Sequence, residues 1–117
     1  MSKPVFEKAA ELGRSITESD EFREVKRAEN AMIGDPNAQA LLKRFHELQQ
    51  LQKEKQKKGQ TLTREETREY EGVQLKFMEN KTIKDFSEAQ NNFQEMMNQI
   101  MKIIKESARE DKGAKEE

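Results

Sequence analysis

The chain has no cysteine and no tryptophan, a single histidine, two prolines and five glycines. Without cysteine it can form no disulfide, hold no iron–sulfur cluster on its own thiolates and offer no thiol nucleophile. No apolar run approaches the roughly 18 residues that span a bilayer. The opening MSKPVFEKAAELG lacks the apolar centre of a signal peptide, so a soluble, cytoplasmic protein without membrane contact is expected. Charge of one sign is also missing: the formal net charge is −1 and the sequence pI about 6.0, which argues against a general nucleic-acid binder. The five glycines are scattered, and none belongs to a phosphate-cradling loop. There is no strand-like alternation, no internal repeat and no proline-rich linker.

What is present is charge in abundance and a sparse, periodic set of apolar residues. Hydrophobic residues make up 32% of the 117 and charged residues 38%. That balance borders on disorder, but the low net charge and the regular spacing of the apolar positions favour folding. Ala, Glu, Lys, Leu and Arg supply close to half of the chain, the bias of long helices and coiled coils. The fold class read from this is all-α: four or five helices in a bundle or coiled-coil-like arrangement, with residues 1–107 as one helical domain. A chain this short and polar buries a thin core, so self-association through the leftover apolar stripe is expected.

The clearest stretch runs from 82 to 107. Ile83, Phe86, Gln90, Phe93, Met97, Ile100 and Ile104 recur three and four residues apart, with Ala89, Met96 and Ile103 beside them, so one broad helical stripe is apolar. Thr82 can cap its start, with Asp85 three residues on. Val5, Ala9, Leu12 and Ile16 mark a first helix, with Pro4 in its first turn. Phe22, Val25, Ala28 and Met32 mark a second. Thr17 with Asp20, or Ser19 alone, offers capping chemistry between the two, and the residues do not decide whether the chain breaks there. Gly34-Asp35-Pro36 is a boundary: Gly34 suits a left-handed C-terminal cap, Asp35 an N-cap, Pro36 a first helical position. The third helix spans 36–58 on the seam Ala38, Leu41, Phe45, Leu48 and Gln52, flanked by Leu42 and Leu51. Thr63 with Glu66 forms a capping box for a fourth helix, 63–79, whose face is Tyr70, Val73 and Phe77. The third and fourth helices are expected to form an antiparallel hairpin, with the last helix packed along it. The tail 108–117 has nothing apolar larger than alanine and is expected to be disordered.

No residue specifies a reaction, so catalytic, metal-binding and cofactor-binding sites are not expected. His46 lies off the seam with no second histidine or Glu-x-x-His partner, the position of an ordinary surface histidine. The 23 acidic residues suit Glu–Lys pairing on helix surfaces. Lys53, Lys55, Lys57 and Lys58 form a basic tip on the hairpin. It could meet phosphate or RNA, yet Glu54 interrupts it, no aromatic residue serves base stacking, and lysines at a helix C-terminus already offset its dipole. The stronger signal is apolar. Phe45, Leu48, Leu51, Tyr70, Phe77, Phe93, Met96, Met97, Ile100, Met101 and Ile104 are the candidate core or interface residues. Met101 falls outside the stripe, giving the end of the last helix an arc wider than one neighbour covers, and flexible methionines suit such contacts.

The phrases FREVKRAENAM, GDPNAQALLKRFHELQQLQKEKQKKG, TREETREYEGVQ and NKTIKDFSEAQNNFQEMMNQIMKII occur in an order that resembles the YlbF/YmcA family of small all-helical bacterial regulators, including its YheA-like members. The likeness covers about residues 5–107. It implies an all-α, dimeric protein of a Gram-positive, Bacillus-like bacterium. It also implies regulation by association, with itself and with another regulatory protein or an RNase. Some members act on competence, sporulation, biofilm formation and messenger-RNA processing by the endoribonuclease RNase Y. Complexes of better-known members are associated with iron–sulfur clusters on cysteines. This chain has no cysteine, so that role does not transfer. The expected function is a non-enzymatic regulatory or scaffold protein, and the contrasting one an RNA-binding adaptor working through the lysine tip.

Overall fold

A computed structural model describes the backbone of residues 2–116 and the side chains of residues 2–109. Five helices follow in order: α1 (Lys3–Thr17), α2 (Asp20–Ile33), α3 (Pro36–Lys57), α4 (Arg64–Glu79) and α5 (Lys81–Glu116). No strand occurs among the described residues. The chain divides into two compact units: Arg27–Ser87, and the residues up to Lys26 together with those from Glu88 onward.

The helix boundaries follow from side-chain oxygens placed where backbone amides need partners. The break between α1 and α2 is resolved by Ser19 alone. Its hydroxyl donates to the Ile16 carbonyl at 2.6 Å and accepts from the Phe22 amide at 3.1 Å, so one group closes α1 and opens α2. Thr17 instead donates to Arg14 within α1. Asp35 caps α3 by accepting from the Asn37 amide at 3.0 Å, with Pro36 following it. Thr63 and Glu66 form the reciprocal capping box of α4, a device worth about 1 kcal/mol.

Two local expectations are corrected. Gly34 does not take the left-handed conformation; among the described glycines only Gly59 does, with φ 72°. Gly34 closes α2 by donating an ordinary hydrogen bond from its amide to the Asn30 carbonyl at 3.1 Å, whereas Gly59 must reverse the chain after α3. Thr82 does not cap α5 either. Asn80 does, accepting from the Ile83 amide at 3.0 Å, having just ended α4 in an extended conformation. The Thr82 hydroxyl lies 2.8 Å from the Asp35 carboxylate and 2.9 Å from the Asn80 side-chain oxygen. One proton thus serves two acceptors and ties the start of α5 to the start of α3. The α5 backbone also stays helical to Glu116, past the expected end near Ser107, in keeping with its Ala, Lys, Glu and Arg content.

In the unit Arg27–Ser87, α3 and α4 pack as the expected hairpin. Phe45 is its centre, 5.6 Å from the Tyr70 ring and stacked at 5.0 Å on Phe77; aromatic pairs of this kind add roughly 0.5–1.5 kcal/mol each beyond area burial. Leu48 is the largest fully buried side chain, accompanied by Ala28, Ala38 and Ile83. Three alanines, counting Ala89 of the other unit, among the five buried apolar residues of the described part mean that the helices meet through small contacts. The core is as thin as the composition implies.

Candidate interaction surface

The apolar residues of the second unit divide into an inner and an outer set. Phe93, Met96, Met97 and Ile100 on α5 are half-buried, as are Leu12 and Ile16 on α1 and Phe22 and Val25 on α2. Phe22 and Phe93 meet at 6.1 Å, and Lys26 lies 5.6 Å over the Phe22 ring. One turn further along α5 the cover ends. Met101 is 49% exposed, Ile103 60% and Ile104 47%, and on α1 of the same unit Val5 and Phe6 are also exposed. A monomer leaves single apolar side chains in water freely, but consecutive turns of one helix doing so mark a contact surface. Beside these residues lies a groove of about 470 Å³ with Met96, Ile100 and Ile103 as its apolar lining and Glu21, Glu95, Asn92 and Gln99 as its polar lining.

The candidates from the hairpin have a different environment. Phe45, Leu51, Tyr70 and Phe77 are half-buried and Leu48 is buried, so they hold α3 to α4. The basic tip is not four free charges. Lys55 is half-buried and pairs with Glu66 of the capping box, while Lys53, Lys57 and Lys58 are exposed. The ammonium of Lys55, helped by the Thr63 amide, holds the Glu66 carboxyl below its ordinary value. Further along the hairpin Arg44 grips Glu69 with two bonds of 2.6 Å and approaches Glu47 at 3.5 Å. Glu69 is lowered by that guanidinium and Arg44 raised by its hydrogen bond to Glu69. Asp35 is lowered chiefly by the Thr82 hydroxyl. These are structural pairs between neighbouring elements rather than an acid–base frame. His46 is exposed. Among the described residues no group of three or more His, Cys, Asp or Glu could hold a metal ion, and no helix is long and apolar enough to cross a membrane.

Exposed apolar side chains on consecutive turns of α5 suit contact with another chain. The model of the family described as control of competence regulator ComK, YlbF/YmcA, matches residues 5–108. The chain is a member of the YlbF/YmcA family. Its relatives include a UPF0342 protein of Oceanobacillus iheyensis, 30% identical over 82% of this chain and 82% of that protein. A UPF0342 protein of Desulfitobacterium hafniense is 29% identical over 95% and 85%. Among solved structures, a chain of the Bacillus subtilis RicA structure in complex with RicF has a TM-score of 0.85 at 19% identity, covering 94% of this chain and 97% of that one. A DUF964 protein of unknown function from Bacillus stearothermophilus follows at 0.68 and 19%. At that identity the two structures establish the shared fold. The family is one of regulators, and one structural neighbour has been crystallised with a protein partner.

Four exposed residues escaped the sequence reading, among them Ile33 beside the seam residue Met32. Phe6 stands next to seam residue Val5, and Leu75 and Met78 lie off the Tyr70–Val73–Phe77 face of α4. Their signal was an apolar side chain on the wrong side of an otherwise consistent stripe.

Proposed function

We propose that this protein is a stoichiometric, non-enzymatic regulator of the YlbF/YmcA type that works by binding another protein through the α1 and α5 surface. The observation that carries the reading is the run Met101, Ile103 and Ile104, exposed on α5 next to a groove lined by Met96 and Ile100. With Glu21 and Glu95 lining the same groove, the complementary partner element is an amphipathic helix whose apolar stripe is flanked by basic residues. Membership in a family described by control of a competence regulator, and a neighbour crystallised with RicF, support a role in which occupancy of this surface changes the partner's assembly or specificity. Competence, sporulation, biofilm formation and RNase Y-dependent messenger-RNA processing are the pathways to examine.

The test is affinity capture from nuclease-treated bacterial lysate with the native chain and with Met101→Asp/Ile104→Asp. A defined protein retained by the native chain and lost by the double variant, at unchanged melting temperature, is the expected result. Identical capture profiles for the two chains, or partners that disappear with nuclease, would overturn it; the second outcome would turn attention to Lys53, Lys57 and Lys58.

A further inference from the structure

The hairpin of α3 and α4 has an edge that its ion pairs leave open. A groove of about 380 Å³ lies there, with Gln52, Gln56, Gln60 and Gln74 supplying side-chain amides and half-buried Leu62 and Tyr70 an apolar part of the lining. The pairs Arg44–Glu69 and Lys55–Glu66 lie outside it. None of the four glutamine side chains is hydrogen-bonded to another described residue. Lys53 follows Gln52, and Lys57 follows Gln56. Both lysines are exposed, and neither has an ion pair with another described residue.

Each glutamine offers a carbonyl acceptor and an amide donor, the match for the N–H and C=O that a peptide unit carries. Gln52 and Gln56 are four residues apart on α3, a rise of about 6 Å. An extended chain returns to the same side every second residue, about 6.6–6.8 Å along. The two amides therefore come into step with alternate residues of an extended segment. A helix would not satisfy them, because its backbone groups are already bonded within itself. Lys53 and Lys57 repeat the same four-residue step one position round α3, so they favour acidic side chains two residues apart in whatever binds. Glu71, on the α4 side of the groove, disfavours a ligand that is acidic throughout. The residue between the two acids turns to the opposite side of an extended chain, where Leu62 and Tyr70 suit an apolar one.

The geometry points to this groove as a binding site for an extended peptide segment of a partner protein, with the order acidic, apolar, acidic. The segment's backbone pairs with the amides of Gln52 and Gln56, and its carboxylates face Lys53 and Lys57. The contact is a few residues long and pays for ordering a flexible segment, so it is weak and reversible. The groove belongs to the unit Arg27–Ser87 and does not depend on the partner binding proposed above for α1 and α5.

The probe is the capped peptide acetyl-Ser-Glu-Leu-Glu-Ser-amide, titrated to millimolar concentration into the full chain and followed by proton–nitrogen NMR. Acetyl-Ser-Lys-Leu-Lys-Ser-amide and a single-stranded oligouridylate are titrated in parallel. The acidic peptide is expected to shift the side-chain amide signals of Gln52 and Gln56 saturably, and the basic one to leave them in place. Gln52→Ala/Gln56→Ala keeps a strong helix former at both positions and is expected to weaken binding at least about fivefold, the loss of roughly one net hydrogen bond. Lys53→Gln/Lys57→Gln is expected to weaken it as well and to remove its salt dependence. Circular dichroism confirms the helical fold of each variant. Absence of saturable shifts with the acidic peptide, equal binding of the basic one, or unchanged affinity in either folded variant would each overturn the assignment. Oligouridylate that shifts these signals where the peptide does not would overturn it too, and would give the lysines to phosphate. Met101→Asp/Ile104→Asp is expected to bind the peptide as the native chain does, so the result is separate from the fate of the α1 and α5 surface.

Discussion

At the scale of single residues, the chain uses its charges to connect elements that its few apolar residues hold only lightly. Lys55 with Glu66, and Arg44 with Glu69, join α3 to α4, and each carboxyl is kept below its ordinary value of 4.5 by the cation beside it. A group whose folded-state pKa is lowered contributes stability that is present above its unfolded value and lost as pH falls through the folded one. The melting temperature of the native chain is therefore expected to hold from neutral pH down to about 4.5 and to fall below it. Glu66→Gln/Glu69→Gln should melt lower than the native chain at neutral pH and lose less on acidification, so that the two curves converge in acid. Thermal unfolding by circular dichroism across that range checks it; parallel curves would mean that these pairs do not contribute. Arg44–Glu69 is the more open to water of the two pairs and Lys55–Glu66 the more covered, so added salt should shrink the difference as acid does, mainly through Arg44–Glu69.

At the scale of elements, what separates one helix from the next is a single polar side chain, and the sequence showed some of these and not others. Asp35 before Pro36, and Thr63 three residues before Glu66, were legible because the spacing admits only one capping arrangement. The start of α5 was not. Asn80 and Thr82 both offer a side-chain oxygen, and the choice fell to Asn80 because Thr82 reaches Asp35, 47 residues away in sequence. Lys55 looked like part of a free basic tip for the same reason: its pairing with Glu66 depends on the register of α3 against α4, which local spacing does not contain. Gly34 and Gly59 were equally ambiguous, since a sequence gives no sign of φ. The structure separates them, and two alanine substitutions check the separation. Gly59→Ala places a Cβ on a left-handed backbone and is expected to cost about 1–2 kcal/mol. Gly34→Ala meets only the Asn30 and Ala31 carbonyls at 3.5 and 3.8 Å, ordinary contacts, and should be neutral or stabilising by up to about 1 kcal/mol. Urea unfolding gives both values, and equal costs would contradict the assignment of the turn to Gly59.

At the scale of the whole molecule, the problem is how a chain with few apolar residues can both fold and leave some of them in water. The helical periodicity that made the fold legible does not distinguish these uses, because Ile100, Ile103 and Ile104 look alike in a stripe. Burial separates them: Ile100 is half-buried beside Met96, while Ile103 and Ile104 are exposed. The charged residues, 38% of the chain with almost no net charge, keep such a surface soluble without mutual repulsion working against the fold. An aspartate at each position should therefore report a different property. Ile100→Asp puts a carboxylate without a partner where apolar contacts are made and is expected to destabilise the fold by about 2–3 kcal/mol. Ile104→Asp places its charge in water and should leave the melting temperature within a degree or two of the native chain, since a surface change of this kind stays within about 0.5 kcal/mol. If both variants melt alike, the inner and outer sets of α5 are not distinct, and the exposed run would have to be read as core rather than as the contact surface proposed above. If they differ as expected, the inner side of the helix supplies stability and the outer side is free of it, so the partner binding proposed for Met101 and Ile104 can be tested by substitution there without loosening the protein that carries them.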